Sequence, residues 1–155
     1  MGLFEDCIEY VEATVMAALD GCDPMPHISI GGSTVDHPFE VYVCEEPQSV
    51  EISDVSTSHM GMGAAARGLY RVEFSVMIQF QAKGPEAWEA SRTALGWFER
   101  LACAVANDKT LGGLCLHAQP YLTNGATGSD GRTWVHVTEG GVRIKADINP
   151  KRQEA

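Results

Sequence analysis

The chain has 155 residues, of which 45% are hydrophobic and 21% are charged, a composition typical of one globular domain. It contains 11 Lys and Arg against 21 Asp and Glu, so its formal net charge is −10. Nucleic-acid binding depends largely on the neutralisation of phosphates, and this charge balance therefore argues against a nucleic-acid partner.

The first predicted element is an amphipathic helix. Its apolar residues recur at intervals of three and four, the spacing of one buried helix face, and they are Leu3, Phe4, Cys7, Ile8, Val11, Val15 and Leu19. Asp20-Gly21 follows, and glycine readily adopts the left-handed conformation that ends many helices. We therefore expect the helix to end there.

Two strands and a long loop are predicted next. A short strand is expected at His27 to Ile30, and a clearer one in FEVYVCEE, where Phe39, Val41 and Val43 share a face. Residues 47–68 are rich in Pro, Ser, Thr, Gly and Ala and show little periodicity. Loops of this length are usually functional or disordered, so we interpret the segment as a loop insertion that contacts a partner.

The strongest pattern in the chain is the strict alternation of YRVEFSVMIQFQ, residues 70–81. It predicts a long antiparallel strand with one buried, apolar face. The other face carries unbranched and polar groups, so it is not a second core and is open to solvent or to a partner.

A second helix is predicted to start at Gly84-Pro85, because proline tolerates the first helical position. Its predicted buried stripe is Trp88, Leu95, Phe98, Leu101 or Ala102, and Val105. Glycine is unfavourable inside a helix, and close approach of another backbone would explain Gly96. Phe98 is expected to pack against the apolar face of the strand at 70–81.

The segment NDKTLGGLCLHA, residues 107–118, is predicted to turn tightly from this helix into a strand, with Leu111 filling the corner. Two final strands are predicted at Leu114 to Leu122 and Thr133 to Ile148, joined by a hairpin turn in TNGATGSDG. The glycine pair in EGG, residues 139–141, predicts an interruption of the last strand.

Helices and strands do not alternate regularly, which favours an α+β fold over a doubly wound one. We predict a mostly antiparallel sheet of about four to five strands, with two amphipathic helices packed on one face and the long loop between two central strands. One domain is expected to span residues 1–150, with residues 151–155 as a frayed tail.

Motifs for catalysis or cofactor binding are not found. There is no GxSxG or Walker A sequence, and GMGAAARG at 61–68 lacks the preceding strand and following helix of a dinucleotide site. The five cysteines include no CxxC, and a zinc site from Cys22, His27, His37 and Cys44 fits no closed structural spacing. We therefore expect no cofactor and no enzymatic activity. A small cytoplasmic α+β enzyme or ligand-binding domain is the rival class.

Membrane association is not expected either. No apolar run approaches the roughly 20 residues of a membrane span. The acidic start MGLFEDCIEY also lacks the basic residues that open a signal peptide. The expected location is therefore the cytoplasm, unless the chain leaves it within an assembly.

The segment LACAVANDKTLGGLCLHAQP, residues 101–120, resembles the corresponding segment of tail terminator, or tail completion, proteins of tailed bacteriophages. In that family a helix runs through a TLGG turn into a strand, a pattern matched here by Asp108, Leu111, Gly112 and Gly113. The order of elements is also similar over most of the chain. The long loop at 47–68 and the Pro-rich connection at 22–38 depart from simpler members.

The resemblance implies a small α+β subunit that forms a hexameric ring. Such a ring caps the tail tube, stops its polymerisation and joins the tail to the head. The implied partners are further copies of the chain, the tail tube protein and the head–tail connector or stopper protein. The implied location is the tail or neck of the virion, and the host cytoplasm during assembly. A head-completion or connector adaptor of the same neck is the alternative within this class.

We assign the candidate partner interface to His59, Met60, Met62 and Arg67 in the loop and to Met77, Gln79 and Gln81 on the polar strand face. Methionine is flexible and polarizable and is common on adaptable binding surfaces. A loop with methionines beside glycines is therefore predicted to be a contact surface rather than a spacer.

Overall fold

The computed structural model describes residues 2–31, 37–54, 70–123 and 125–148, and it confirms the α+β class. Within these residues, seven strands form one mixed sheet, accompanied by two helices. In chain order the elements are α1 (Leu3–Leu19), β1 (His27–Ile30), β2 (Phe39–Val43), β3 (Gln48–Asp54), β4 (Tyr70–Gly84), α2 (Ala87–Ala106), β5 (His117–Leu122), β6 (Ala126–Ser129) and β7 (Trp134–Ile148). The predicted tail at 151–155 lies outside the described residues.

The sheet is built around β4 and β7, two fifteen-residue strands that pair antiparallel along their whole length. Each carries two short strands on its other edge: β2 and β3 pair with β4, and β5 and β6 pair with β7. β1 extends the sheet by pairing parallel to β2. The observed sheet is therefore mostly antiparallel, as predicted. It has seven strands instead of the predicted four to five.

Two of the observed strands, β3 and β6, were not predicted from the sequence. β3 occupies the start of the predicted 47–68 loop, and residues 55–69 lie outside the described part of the chain. The apolar residues of β3, Val50 and Ile52, are 42% and 61% exposed, so no buried run marks the strand. β6 has the polar sequence ATGS and lies inside the predicted hairpin turn, which leaves only residues 130–133 between β6 and β7.

The boundaries of the last strands also differ from the prediction. β7 is not interrupted at residues 139–141, because every residue from Trp134 to Ile148 pairs with β4. β5 begins at His117 rather than Leu114, because residues 109–114 still belong to the turn that follows α2.

Helix α1 buries the predicted stripe, apart from Phe4, which is only partly buried. The Phe4 ring meets the Phe74 ring of β4 edge to face, with 4.8 Å between centroids, so α1 lies over the apolar face of the sheet. Gly21, just after the helix, has a φ of 75°, the left-handed conformation predicted for this stop.

The buried face of α2 agrees with the predicted one only in its second half, where Leu101 and Val105 are buried and Phe98 packs against the core. It begins at Ala87 after Glu86 as N-cap, so Pro85 precedes the helix, because β4 continues to Gly84. Its buried residues are Ala90, Ala94, Trp97, Leu101 and Val105. Trp88 and Leu95 are 55% and 39% exposed. The small alanines let the helix lie close to its neighbours, a contribution that a pattern weighted toward large apolar residues overlooks.

The turn after α2 is built by three successive residues with positive φ: Leu111 at 49°, Gly112 at 67° and Gly113 at 92°. A left-handed conformation costs a non-glycine residue roughly 1–2 kcal/mol. Leu111 is nevertheless 1% exposed, and its burial offsets this cost, as expected for a residue that fills the corner.

Asp108 ties this turn to α1. One carboxylate oxygen accepts the Gly112 backbone N–H at 3.0 Å, and the other accepts the Tyr10 hydroxyl at 2.5 Å. A Cβ on Gly112 would lie 3.0 Å from the Tyr10 ring, so a side chain there is disfavoured. Residues of the TLGG motif therefore join the end of α2 to the middle of α1.

Replacing Phe98 and Leu95 separately by alanine tests the face of α2. Phe98 is partly buried and its ring meets Phe80 edge to face at 6.0 Å, as predicted from the sequence. We expect Phe98→Ala to lower the free energy of unfolding by about 2–3 kcal/mol, and Leu95→Ala by less than about 1 kcal/mol. Urea unfolding followed by circular dichroism measures both, and equal losses would contradict the observed face.

Replacing Tyr10 by phenylalanine tests the link to Asp108 through its pH dependence. The hydrogen bond to Asp108, followed by burial, raises the pKa of Tyr10 above its usual value of 10.0. A raised folded-state pKa means that the stabilisation is complete below pH 10 and is lost as the pH rises through the folded-state pKa. We expect Tyr10→Phe to melt at a lower temperature at pH 8, with the difference from the native chain shrinking above pH 10. Melting curves that stay parallel from pH 8 to 11 would exclude the link.

Candidate assembly surfaces

The side of the sheet opposite the helices, which we call the outer face, is formed by the odd-numbered residues of β4 and β7. Most even-numbered residues of both strands are buried, whereas most odd-numbered ones are partly or largely exposed. Neither helix packs on the outer face, because the buried helical residues belong to the single core on the other side. This arrangement is typical of an antiparallel sheet with one solvated or partner-facing side.

One half of the outer face is a charged patch formed by Arg71, Glu73, Arg143, Lys145 and Asp147. Arg71 Nε lies 3.1 Å from Asp147, and Lys145 Nζ lies 3.3 Å from Glu73. The Arg143 guanidinium lies 3.8 Å from Glu73 and also donates to the Ser75 hydroxyl at 3.1 Å. Exposed pairs of this kind contribute at most about 1 kcal/mol each. Their charges are nevertheless compensated within the chain.

The other half is an amide patch, formed by Met77, Gln79, Gln81, Val135 and Val137. The three residues predicted from the sequence all lie here, on one face of β4, and are partly exposed. Val135 and Val137 of β7 are also partly exposed. The Gln79 amide makes no hydrogen bond to another described residue. The patch thus combines apolar area with a free donor and acceptor.

The other predicted interface residues, His59, Met60, Met62 and Arg67, lie outside the described residues. Their part in the interface stays a prediction. At one end of the sheet, Ile52 of β3 and Tyr70 of β4 are exposed apolar residues that were not predicted as a surface. The alternation of Val50 and Ile52 with polar neighbours is the sequence pattern that could have indicated the strand to which Ile52 belongs.

A small cavity of about 260 Å³ separates the two patches on the outer face. It is lined by Gln48, Ser49, Ser75, Met77, Tyr121, Thr123 and Glu139. Gly141 pairs with Met77, one of the lining residues, and has no side chain that could fill the cavity. Its φ of 145° is a backbone conformation that favours glycine. Burial raises the pKa of Tyr121, whose phenol therefore stays neutral and able to donate a hydrogen bond.

A groove of about 790 Å³ lies on the helix layer, between α2 and the connection from α1 to β1. Arg92, Gly96 and Arg100 follow one another by about one helical turn and line its α2 side. Trp97 also lines it, with its ring nitrogen donating to the Pro24 carbonyl at 3.0 Å. No contact explains Gly96, because a Cβ there would meet no atom within 4 Å. The predicted close approach of another backbone is therefore not made within the described chain.

Two residues of the zinc set considered from the sequence, His27 and His37, stack on each other at 4.2 Å. Outside that set, His136 shares a 2.7 Å hydrogen bond with Thr127. Burial raises the pKa of Cys115 to about 11, which keeps its thiol neutral and poorly nucleophilic. Across the described ranges, no three His, Cys, Asp or Glu side chains are grouped so that they could hold a metal ion.

Comparison with known proteins adds no further assignment. The chain matches no protein-family model and no curated protein. Neither helix in the described part of the chain is long and apolar enough to cross a membrane.

Replacing Gly141 by alanine tests how the strands beneath the cavity are packed. A Cβ at this position would overlap the Val76 carbonyl oxygen, and the φ of 145° is unfavourable for any other residue. We expect Gly141→Ala to lower the free energy of unfolding by at least about 3 kcal/mol. Gly128→Ala is the matched control, because a Cβ there meets nothing within 4 Å and the effect should stay within about 0.5 kcal/mol. Equal stability of both variants in urea unfolding would show that β4 and β7 do not approach as described.

Proposed function

We propose that the chain is a structural subunit that assembles with copies of itself into a closed ring, and that this ring is the tail terminator of a tailed bacteriophage. The ring caps the tail tube, ends its polymerisation and joins the tail to the head–tail connector. The amide patch on the outer face is the observation that carries the proposal, and we assign it to contact with the tail tube protein.

The contrast between the two halves of the outer face supports this assignment. The charged patch already pairs its ions, so covering it brings no new partner for them. The centres of protein interfaces are depleted in charged residues and enriched in methionine. The amide patch comes nearer to this composition than the charged patch does, because Met77, two valines and two amides lie together in it. Its charged neighbours on the outer face are Glu139, which pairs with Gln79, Lys83, which pairs with Val135, and Glu40, which pairs with Gln81.

The geometry of the turn at 107–116 supports the family resemblance. Leu111 and Gly112 have positive φ, and Asp108 accepts hydrogen bonds from both Gly112 and Tyr10. Each matched residue thus has a defined task in joining the two helices. A motif whose residues have structural roles is better evidence of a shared fold than four matching residues without such roles.

The rival function, binding of a small molecule, is favoured by the α2 groove, because its volume lies within the usual range for ligand sites. Such sites are mostly apolar with a few polar groups. The groove is instead lined by four charged side chains, which are Asp23, Arg92, Glu99 and Arg100. This lining fits a protein surface better than a small apolar ligand.

Native mass spectrometry of the purified chain tests the ring. Head-to-tail contacts that complete a rotation close into a ring of defined size, and we expect six subunits. A chain that remains monomeric at high micromolar concentration contradicts the proposal.

The contact with the tube is tested by adding the ring to growing tail tubes and viewing them by electron microscopy. We expect the native ring to stop growth at the tube end. Gln79→Arg with Val137→Arg should leave the ring mass unchanged but abolish capping, because the desolvation of two guanidinium groups costs more than one neighbouring carboxylate, that of Glu139, offsets. Lys145→Gln in the charged patch is the control and should cap normally. Capping of connectors but not tubes by the native ring would favour the head-completion alternative.

A further inference from the structure

Helix α1 has an acidic surface near its N-terminal end. Its sequence contains four carboxylates within residues 5–12 and no Lys or Arg. Glu5 and Glu9 are exposed and form no ion pair with another described residue. Burial, followed by the charges of Glu45 and Glu9, raises the pKa of Glu12, as expected where like charges lie together without a cation. This end of α1 therefore favours a cationic neighbour.

The α2 groove offers two arginines whose charges are not compensated by an ion pair. Arg71, Arg143 and Lys145 form ion pairs on the outer face, but neither Arg92 nor Arg100 pairs with a described residue. The Arg92 guanidinium stacks on the exposed Trp88 ring, 4.7 Å from its centroid, which holds it at the groove.

Gly96 lies midway between the two arginines and leaves open space above the helix. Glycine at the centre of a helix is unfavourable, and it is often found where a second helix crosses closely. The spacing of Arg92, Gly96 and Arg100 therefore fits a second helix that runs along this face of α2 and comes closest at the glycine, so that both arginines reach the same face of that helix.

The acidic end of α1 cannot occupy the groove of its own chain. Tyr10 contacts Asp108 and Pro24 contacts Trp97, so α1 and α2 run antiparallel. The distance from Arg92 to the level of Asp108 is about 24 Å along the helix axis, at about 1.5 Å per residue. Arg92 and the acids of α1 therefore lie toward opposite ends of the helix layer.

We propose that the α2 groove is the docking site for the acidic end of α1 from a second copy of the chain, with its Glu5 and Glu9 against Arg92 and Arg100. This inference rests on the proposed function, since a contact between two different surfaces is head-to-tail and repeats around a ring. Asp23 and Glu99 also line the groove and repel misplaced acids. They therefore restrict the docked helix to one register.

Two charge-reversed variants test the contact. The groove variant carries Arg92→Glu and Arg100→Glu, and the helix variant carries Glu5→Arg and Glu9→Arg. Each places like charges together at every subunit contact, so we expect self-association at least about tenfold weaker than in the native chain. Analytical ultracentrifugation and native mass spectrometry measure this loss.

Mixing the two variants provides the decisive measurement. Each variant's helix is complementary to the other's groove, so an equimolar mixture should regain rings in which the two alternate. A merely structural defect in either variant would not be repaired in this way. Lys109→Glu with Arg132→Glu changes the net charge as much as the groove variant does and should assemble normally.

Gly96→Trp supplies an independent variant, because it fills the open space without altering charge. We expect it to remain a folded monomer with native circular dichroism and to lose the ring. If the groove variant, the helix variant and Gly96→Trp all form rings of the native mass, the docking site is wrong and the proposed function still stands. A native chain that forms no ring would overturn both.

Discussion

Fifteen consecutive residue pairs join β4 to β7, and because side chains alternate along both strands, this register decides which residues are buried. Phe74 faces the helices beside Ile144, while Ser75 faces outward beside Arg143. A slip of one residue would exchange the two faces and expose the core. Close approach of the strands at Gly141 and Val76 disfavours such a slip, because the backbone there fits only glycine.

This register also separates two kinds of surface. All described helical residues with buried side chains except Ala90 belong to one core, so the sheet presents its other face without a covering helix. The outer face is divided into a compensated charged patch and an amide patch, which in the proposed ring would contact the tail tube. The helix layer carries the groove and the acidic helix end, which suit contact between neighbouring subunits. A ring subunit of the proposed kind requires both directions of contact.

The elements that could be predicted from the sequence are those in which burial and periodicity coincide. In α1 and β4 the apolar residues that follow the helix or strand period are buried, apart from Phe4 and Tyr70, so the pattern gives the element and its face. β3 was missed because Val50 and Ile52 form a strand without being buried. The first half of the predicted α2 face was wrong, because small residues, Ala90 and Ala94, are buried there while Trp88 is exposed.

The candidate surfaces were predictable only in part, for a related reason. Alternation placed Met77, Gln79 and Gln81 on one face, and the structure places them together. The groove depends on residues from α1, its following connection and α2, which no local pattern brings together. Likewise, only the structure shows that Arg92 and Arg100 line one groove and that neither forms an ion pair with a described residue.

The net charge of −10 gives these two arginines a particular importance for assembly. Like-charged subunits repel one another in most orientations, which opposes irregular association. In the proposed docking, the acidic end of α1 meets the two arginines of a groove that also contains Asp23 and Glu99, so only an orientation that places the acids against the arginines lowers this repulsion. If the same orientation is repeated by every subunit, the growing assembly follows one rotation and can close on itself. On this proposal, the acidic composition that argues against nucleic-acid binding also favours a single geometry of self-association.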